Sequence, residues 1–431
     1  MLARVWPFQR NPSHRVRSSG PYWLIRNGMG DARASLRESL QCDVAVIGAG
    51  ITGALVTDAL IAPGRRIVVL DSRDVALGST AATTALLQYE IDTHLTDLAR
   101  LLDTQRARRA YLACAASIEI LEQRFPELLK LSNYRRRASL YLCSDEAAVP
   151  ALRAELEARR SIGLACEWLD RAELEKQVGC RRPGGIRSAL GAELDPVRFT
   201  QAVMAGAERH GVTVFARSRV KEIEPRGSGV RLLTDGGPCI DAQYVVVCAG
   251  YEAQDFLSQE WADIDNTYAL VTEPLADAHR AHSMPLIWES ARPYLYLRGT
   301  PDGRLLVGGA DVPFRNANAR DLALPRQIRR LAAGYRELFG RDLPAVACAW
   351  GGSFASTEDG LPLIGAEPGG HPRVLFALCL GGNGITYSVH AAEMIREHVE
   401  GRSHPLDDVF GFGRRAYNFR GAENFSARAT D

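Results

Sequence analysis

Residues 42–71 read CDVAVIGAGITGALVTDALIAPGRRIVVLD, and no other stretch limits the fold as strongly. The apolar run before the glycines reads as a strand buried on both faces. Ile51, Leu55 and Ala59 then recur at helical spacing until Pro63-Gly64 stops the helix. RRIVVLD is a second buried strand, and a right-handed crossover places both strands in one parallel sheet. Gly48, Gly50 and Gly53 satisfy G-x-G-x-x-G at the strand-to-helix turn. There glycine permits the turn, lets a pyrophosphate approach the backbone and lets helix and strand pack closely. Ile51 and Thr52 open the helix, whose amides face phosphate charge. Asp71 ends the second strand, 21 residues beyond Gly50, where it can bond an adenosine ribose, with Ser72 beside it. The alternative is a glycine turn needed only for packing; the strand, helix, strand and acid in register favour a dinucleotide.

This motif does not choose between NAD and FAD. The segment that follows, GSTAATTALLQYE (78–90), is hydroxyl-rich and uncharged until Glu90. Small side chains let a flat ring system lie against backbone, and Ser79 and Thr80 donate to phosphate without adding charge. An alanine-rich helix start capped by Ser79 is the competing reading. Ala249-Gly250 ends another buried strand, YVVVCAG, and lets the chain turn closely beside a cofactor. GGNGIT, comprising Gly381, Gly382, Asn383, Gly384, Ile385 and Thr386, is a glycine loop opening a helix, with amides and dipole suited to an electron-rich ring edge.

Elsewhere, helices are expected over 94–131, divided at Pro126, over 146–161, over 196–211 with Asp195 as cap, near 325–339, and after GGNG. Short strands are expected at ASLYLCS, VTVFA, RVKEIEP and GVRLLTD. Between 267 and 308, YALVTE, LIWES, YLYLR and RLLVGG suggest an antiparallel sheet. The fold class is therefore α/β with two lobes: a Rossmann-like lobe and a discontinuous antiparallel-sheet lobe.

Composition excludes several classes. A net charge of +1 gives no reason to expect nucleic acid. Nine scattered cysteines, none in a C-x-x-C pair, indicate neither a metal centre nor a disulfide framework and favour a cytoplasmic setting. No window approaches a transmembrane length, and the arginine-rich first 30 residues lack the apolar core of a secretory signal.

DVAVIGAGITGALVTDAL with VVLD, GSTAATTALLQYE, GAELDPVRFTQAV, YVVVCAG, YLYLRGTPDGRLLVGG and DGLPLIG...GGNGIT together resemble the FAD-dependent D-amino-acid oxidase superfamily, which includes glycine, sarcosine and gamma-glutamylputrescine oxidases. The resemblance spans about residues 40–402. It implies FAD, here non-covalent because the flavin-linking cysteine of some relatives has no counterpart. It implies that Gly48, Gly50, Ile51, Thr52 and Gly53 meet pyrophosphate, Asp71 ribose, Ser79 and Thr80 phosphate, and Val220 adenine. Thr84, Ala85, Leu86 and Leu87 would lie beside the flavin, and Gly381–Thr386 at its pyrimidine edge or ribityl chain. The expected division is an arm (1–34), an FAD-binding domain (35–92, 196–258 and 345–402), a substrate domain (93–195 and 259–344) and a tail (403–431).

The resemblance also implies oxidation of an amine C–N bond by hydride transfer to flavin N5, giving an imine that hydrolyses, with oxygen or another electron acceptor. Amino-acid oxidases grip the substrate carboxylate with an arginine before the DGxP segment, but GGSFASTEDGLP has none. A simple α-amino acid is therefore disfavoured unless Arg292 or Arg298 substitutes. No lysine lies beyond Lys221 to aid oxygen reduction, which leaves the acceptor open. Tyr294, Tyr296, Glu90, Trp350 and Asn383 are the candidates for the substrate face. The ordinary alternatives are core or interface tyrosines, a packing tryptophan and a glutamate paired with arginine. Two other functions compete: a flavin dehydrogenase of a 2-hydroxy acid or polyol phosphate, and a non-catalytic flavoprotein subunit.

Overall fold

The computed structural model describes residues 20–313 and 316–415. The outer parts of the expected arm (1–19) and tail (416–431) lie outside the described residues.

The strand Leu40–Ile47 lies parallel to Ile67–Leu70 on one side and to Cys239–Val247 on the other. Val374–Leu378 and Thr213–Phe215 extend the parallel order outward. Leu363–Ala366 and the hairpin Val220–Arg226/Gly229–Thr234 complete an eight-stranded sheet. Ile67–Leu70 is buried along its whole length, as its unbroken apolar sequence requires. The crossover helix Ile51–Leu60 packs between the helices Pro196–Arg209 and Gly384–Val399. Asp195 caps the former as expected, accepting from the Arg198 amide at 3.1 Å, with Pro196 in first position.

A second, nine-stranded sheet runs in the order Val346–Ser356, Asp263–Thr272, Leu305–Pro313, Leu295–Gly299, Leu286–Glu289, Arg135–Leu142, Gly184–Glu193 and Leu86–Gln88, with Cys166–Asp170 paired to Gly184–Glu193. It is antiparallel except where Leu286–Glu289 meets Arg135–Leu142. One of its strands carries no apolar alternation, because the first glycines of GGIRSALGAE are built around close approach. A Cβ on Gly185 would lie 2.7 Å from the Tyr141 carbonyl oxygen, and one on Gly184 would lie 2.3 Å from the Trp168 ring.

Residues 78–90 pass from one sheet to the other. Ser79–Ala82 form a short helix beside the glycine turn, and Leu86–Gln88 is an edge strand of the second sheet. The strand Val346–Ser356, beyond the boundary expected at residue 345, also pairs in the second sheet.

Candidate functional site

The glycine turn has the geometry that its sequence requires. Gly48 sits at φ +108°, and a Cβ there would be 2.4 Å from the Cys248 carbonyl oxygen; one on Gly53 would be 1.9 Å from the Gly48 oxygen. Asp71 accepts from the Ala49 amide at 2.7 Å and from the Arg73 amide at 2.7 Å, which locks the turn to the end of the second strand. Burial raises the Asp71 carboxyl, and these two amides oppose the shift. Thr80 Oγ1 accepts from the Ile51 amide at 2.9 Å, so the hydroxyl-rich segment is attached to the helix start. Gly250, at φ +58°, faces Ser79, while Val220 is buried where its hairpin begins. The Thr52 hydroxyl is engaged with Ser388 at 2.8 Å.

Between the sheets, three successive carbonyls of the crossing segment are held by three buried side chains. Trp350 Nε1 donates to the Ala82 oxygen at 2.8 Å, Trp23 Nε1 to the Thr83 oxygen at 2.7 Å and Arg298 Nε to the Thr84 oxygen at 2.7 Å. The next residue, Ala85, is held at φ +54°, a left-handed conformation that costs a non-glycine residue about 1 kcal/mol or more. These anchors fix the backbone from Thr84 to Leu86 on the cleft wall.

Two expectations change as a result. Trp350 is not among the residues that line the cleft, and its indole instead braces the Ala82 carbonyl. Arg298 does not reach substrate, because it is 1 % exposed, ion-paired with Glu193 at 3.1 Å and covered by the Trp23 ring. Leu87 and Tyr89 also turn into the core at 0 % exposure, since alternate residues of an extended strand face opposite ways. Their neighbours Leu86, Gln88 and Glu90 line the cleft instead.

The cleft encloses about 890 Å³ of empty space, part of it open to solvent. Ser79 and Thr84 line one side, and Gly381, Gly382 and Asn383 another. Asn383 is fastened by a 2.9 Å bond to the Gln88 oxygen, and the Gly382 amide donates to Asp92 at 3.0 Å. Ile385 and Thr386 are buried in the helix start, where the Thr386 hydroxyl donates to the Asn383 carbonyl at 2.8 Å. Tyr294 and Tyr296 both face the cleft, with ring centroids 5.6 Å apart, and Trp288 meets Tyr294 edge-on at 6.4 Å.

The charges of the cleft are one-sided. Among the described residues its lining includes three carboxylates, Glu90, Asp92 and Asp311, and no lysine or arginine. Glu90 is 3 % exposed, and its carboxylate oxygens have no hydrogen-bond partner. Burial raises its carboxyl, and the Arg159 guanidinium opposes that shift. Arg159 is itself wholly buried and bonded to Glu155 at 2.8 Å. Arg292 stays at the rim, stacked 4.6 Å over the Tyr294 ring and donating to the Asp92 carbonyl at 3.0 Å. Sequence reasoning missed Asp92, Trp288 and Asp311. Asp92 was detectable as the second alternate residue after Gln88; nothing in the local pattern marks the other two.

The family described as FAD dependent oxidoreductase matches residues 43–398. A gamma-glutamylputrescine oxidoreductase of Escherichia coli is 24 % identical over 86 % of this chain and 87 % of its own length. A tRNA 5-methylaminomethyl-2-thiouridine biosynthesis bifunctional protein of Cupriavidus necator is 27 % identical over 91 % of this chain, which spans 62 % of that longer protein. Among solved structures, glycine oxidase from Geobacillus kaustophilus superposes with a TM-score of 0.69 at 20 % identity, covering 87 % of this chain and 99 % of its own. The glycine turn at a helix N-terminus and the uncharged, small-residue crossing segment fit FAD, offering helix amides to its phosphates and an uncharged wall to its ring. The protein thus binds FAD, and the chain belongs to the FAD dependent oxidoreductase family.

Proposed function

We propose that the protein oxidises the C–N bond of a small cationic amine, giving an imine that water hydrolyses. The observation that carries this reading is the cleft lining, which has three carboxylates and no basic side chain among the described residues. An anionic 2-hydroxy acid or polyol phosphate would meet like charge on entry, at a cost of several kcal/mol. A simple α-amino acid would find no buried arginine for its carboxylate, because Arg298 is committed to Glu193 and Thr84.

FAD held in this cleft would supply the two-electron acceptor for the reaction. The chain's own residues bind and orient. Gly48, Gly50 and Gly53 with the helix amides would hold the pyrophosphate, and Asp71 the ribose. Thr84 to Leu86 would back the ring, with Gly381–Asn383 at its polar edge. Tyr294, Tyr296 and Trp288 offer aromatic faces that attract a cation when water is excluded. Glu90 adds a carboxylate whose charge Arg159 helps to maintain.

Its curated relatives include a gamma-glutamylputrescine oxidoreductase, which supports the amine reading. Among the described residues no helix is long and apolar enough to cross a membrane. All nine cysteines are unpaired, which supports a reducing, cytoplasmic location. The test is an anaerobic screen of the purified yellow protein against amines, N-methyl amino acids, 2-hydroxy acids and polyol phosphates. Amines alone should bleach the flavin, and admitting oxygen then decides between oxidase and acceptor-linked dehydrogenase. Bleaching by hydroxy acids or phosphates instead would overturn the reading.

A further inference from the structure

The paired strands Asp263–Thr272 and Leu305–Pro313 are out of step at one place. Asn266 faces Val312 and Tyr268 faces Gly309, so Thr267 alone opposes both Ala310 and Asp311. This is a β-bulge, a device that redirects a side chain next to a functional cleft. Its first residue is Ala310 at φ +56°, held in the left-handed region without the glycine that such a bulge normally takes. The strain has a visible result: Asp311 lines the cleft, its side chain sharing the Thr267 and Tyr296 corner.

Asp311 differs from the other two cleft carboxylates. Glu90 has Arg159 to oppose its charge, and Asp92 accepts the Gly382 amide. The buried Oδ1 of Asp311 has no hydrogen-bond partner, as holds for both Glu90 oxygens, and the Thr267 hydroxyl supports its charge. The groups around it are mostly acidic or neutral. Asp265 comes from the paired strand and Asp92 from the crossing segment. Tyr294 and Tyr296 come from the neighbouring strand, while Arg320 and Asp321 face Tyr268 from the helix Ala317–Phe339. Burial pushes the Asp311 carboxyl up to about 6, and among the described residues Arg292 at the rim opposes that shift. A carboxylate with one buried, unpaired oxygen costs folding energy that a cation arriving in the cleft would recover.

The nitrogen being oxidised must be neutral, because its lone pair drives departure of the hydride. A carboxylate pressed against that nitrogen would hold it as ammonium and oppose the reaction. Asp311 is therefore suited to a different nitrogen. We propose that Asp311 anchors a second, non-reacting cationic nitrogen, so that the preferred substrates are diamines or polyamine derivatives. This rests on the amine reading above and names the substrate class within it.

The test compares n-butylamine with putrescine, spermidine and (4-aminobutyl)trimethylammonium, whose quaternary nitrogen keeps its charge at every pH. Anaerobic flavin reduction should favour at least one of the dications over n-butylamine by about 100-fold in rate per concentration, the scale of a buried charge pair. In wild type this preference should be full above pH 6 and fall about tenfold per unit below it as Asp311 protonates. Asp311→Asn should reduce the ratio at pH 7.5 to within a few-fold of one and abolish its pH dependence. Calorimetric binding of (4-aminobutyl)trimethylammonium to the holoenzyme gives a second readout, tighter at pH 7.5 than at pH 5 in wild type only. The wild-type pH dependence stands without any variant, so a misfolded mutant does not hide the answer. A monoamine reduced as fast as every dication, an Asp311→Asn protein with an unchanged ratio, or no binding of the quaternary probe to wild type would each overturn the proposal. If no amine bleaches the flavin yet the quaternary probe binds through Asp311, the amine reading fails while the cation anchor stands.

Discussion

Replacing Arg298 by methionine separates a structural arginine from a substrate-binding one. Methionine keeps much of the volume, so the loss is electrostatic. The Arg298 side chain donates to the Thr84 oxygen at 2.7 Å and the Leu194 oxygen at 3.1 Å, and pairs with Glu193 at 3.1 Å, all in buried surroundings. Stranding two buried carbonyls costs about 1–3 kcal/mol each. Breaking a buried ion pair costs about 3–5 kcal/mol when the remaining charge is left alone. Glu193 is not left alone, since Arg135 at 2.5 Å and Arg137 at 3.0 Å still hold it, so the ion-pair contribution should be small. The expected total is about 4 kcal/mol, dominated by the two carbonyls and the loosened Thr84 segment.

The assay is urea unfolding of the holoprotein, followed by flavin release. The pH dependence has a definite sign. The three guanidiniums hold the Glu193 carboxyl below its usual value despite burial. Stability from that ionised group is present above the unfolded value of about 4.3 and is lost as pH falls through the lower folded value. The gap between wild type and Arg298→Met should therefore narrow in acid. A loss below about 1 kcal/mol at pH 7, together with weakened binding of carboxylate-bearing amines only, would refute the structural role and return Arg298 to the substrate.

Other outcomes follow from the same geometry. Gly53→Ala places a methyl 1.9 Å from the Gly48 oxygen, and the purified protein should retain less than a tenth of the wild-type flavin by absorbance. Trp350→Phe removes the donor to the Ala82 oxygen, costing about 1–3 kcal/mol in thermal or urea unfolding, with substrate KM unchanged because the ring is not on the cleft wall. Asp311→Asn should stabilise the protein above pH 6. The wild-type carboxyl is raised to about 6, so wild-type stability falls as pH rises from about 4 to 6 and then levels. The variant escapes that fall, gaining up to about 3 kcal/mol at pH 7 and nothing at pH 3.5, readable as unfolding midpoints at the two pH values.

The nucleotide-binding half was legible because each of its requirements is local. Gly48, Gly50, Gly53 and Asp71 lie within one strand, turn, helix and strand, and the steric need for each glycine is visible in its spacing. Asp195 and Pro196 marked a helix start for the same reason. The substrate side was legible only in part. Strand parity puts Tyr294 and Tyr296 on one face of YLYLR. Parity says which face a residue occupies, not which end of the face another segment covers. Residues 82–84 cross over Arg298 and Trp350, so both became anchors for carbonyls, while the tyrosines stayed open to the cleft. Asp311 was hidden for a further reason. Its orientation depends on a bulge between strands distant in sequence, and Ala310 is not the glycine that would have signalled one.

The most direct measurement is a single anaerobic turnover of the purified holoenzyme with putrescine or spermidine, with the carbonyl product counted against the flavin reduced. Amine oxidation predicts one aldehyde and one released amine or ammonia for each flavin bleached, and no bleaching by glycerol phosphate or lactate. Full reduction by a hydroxy compound, or flavin that no amine in the screen reduces, would contradict it.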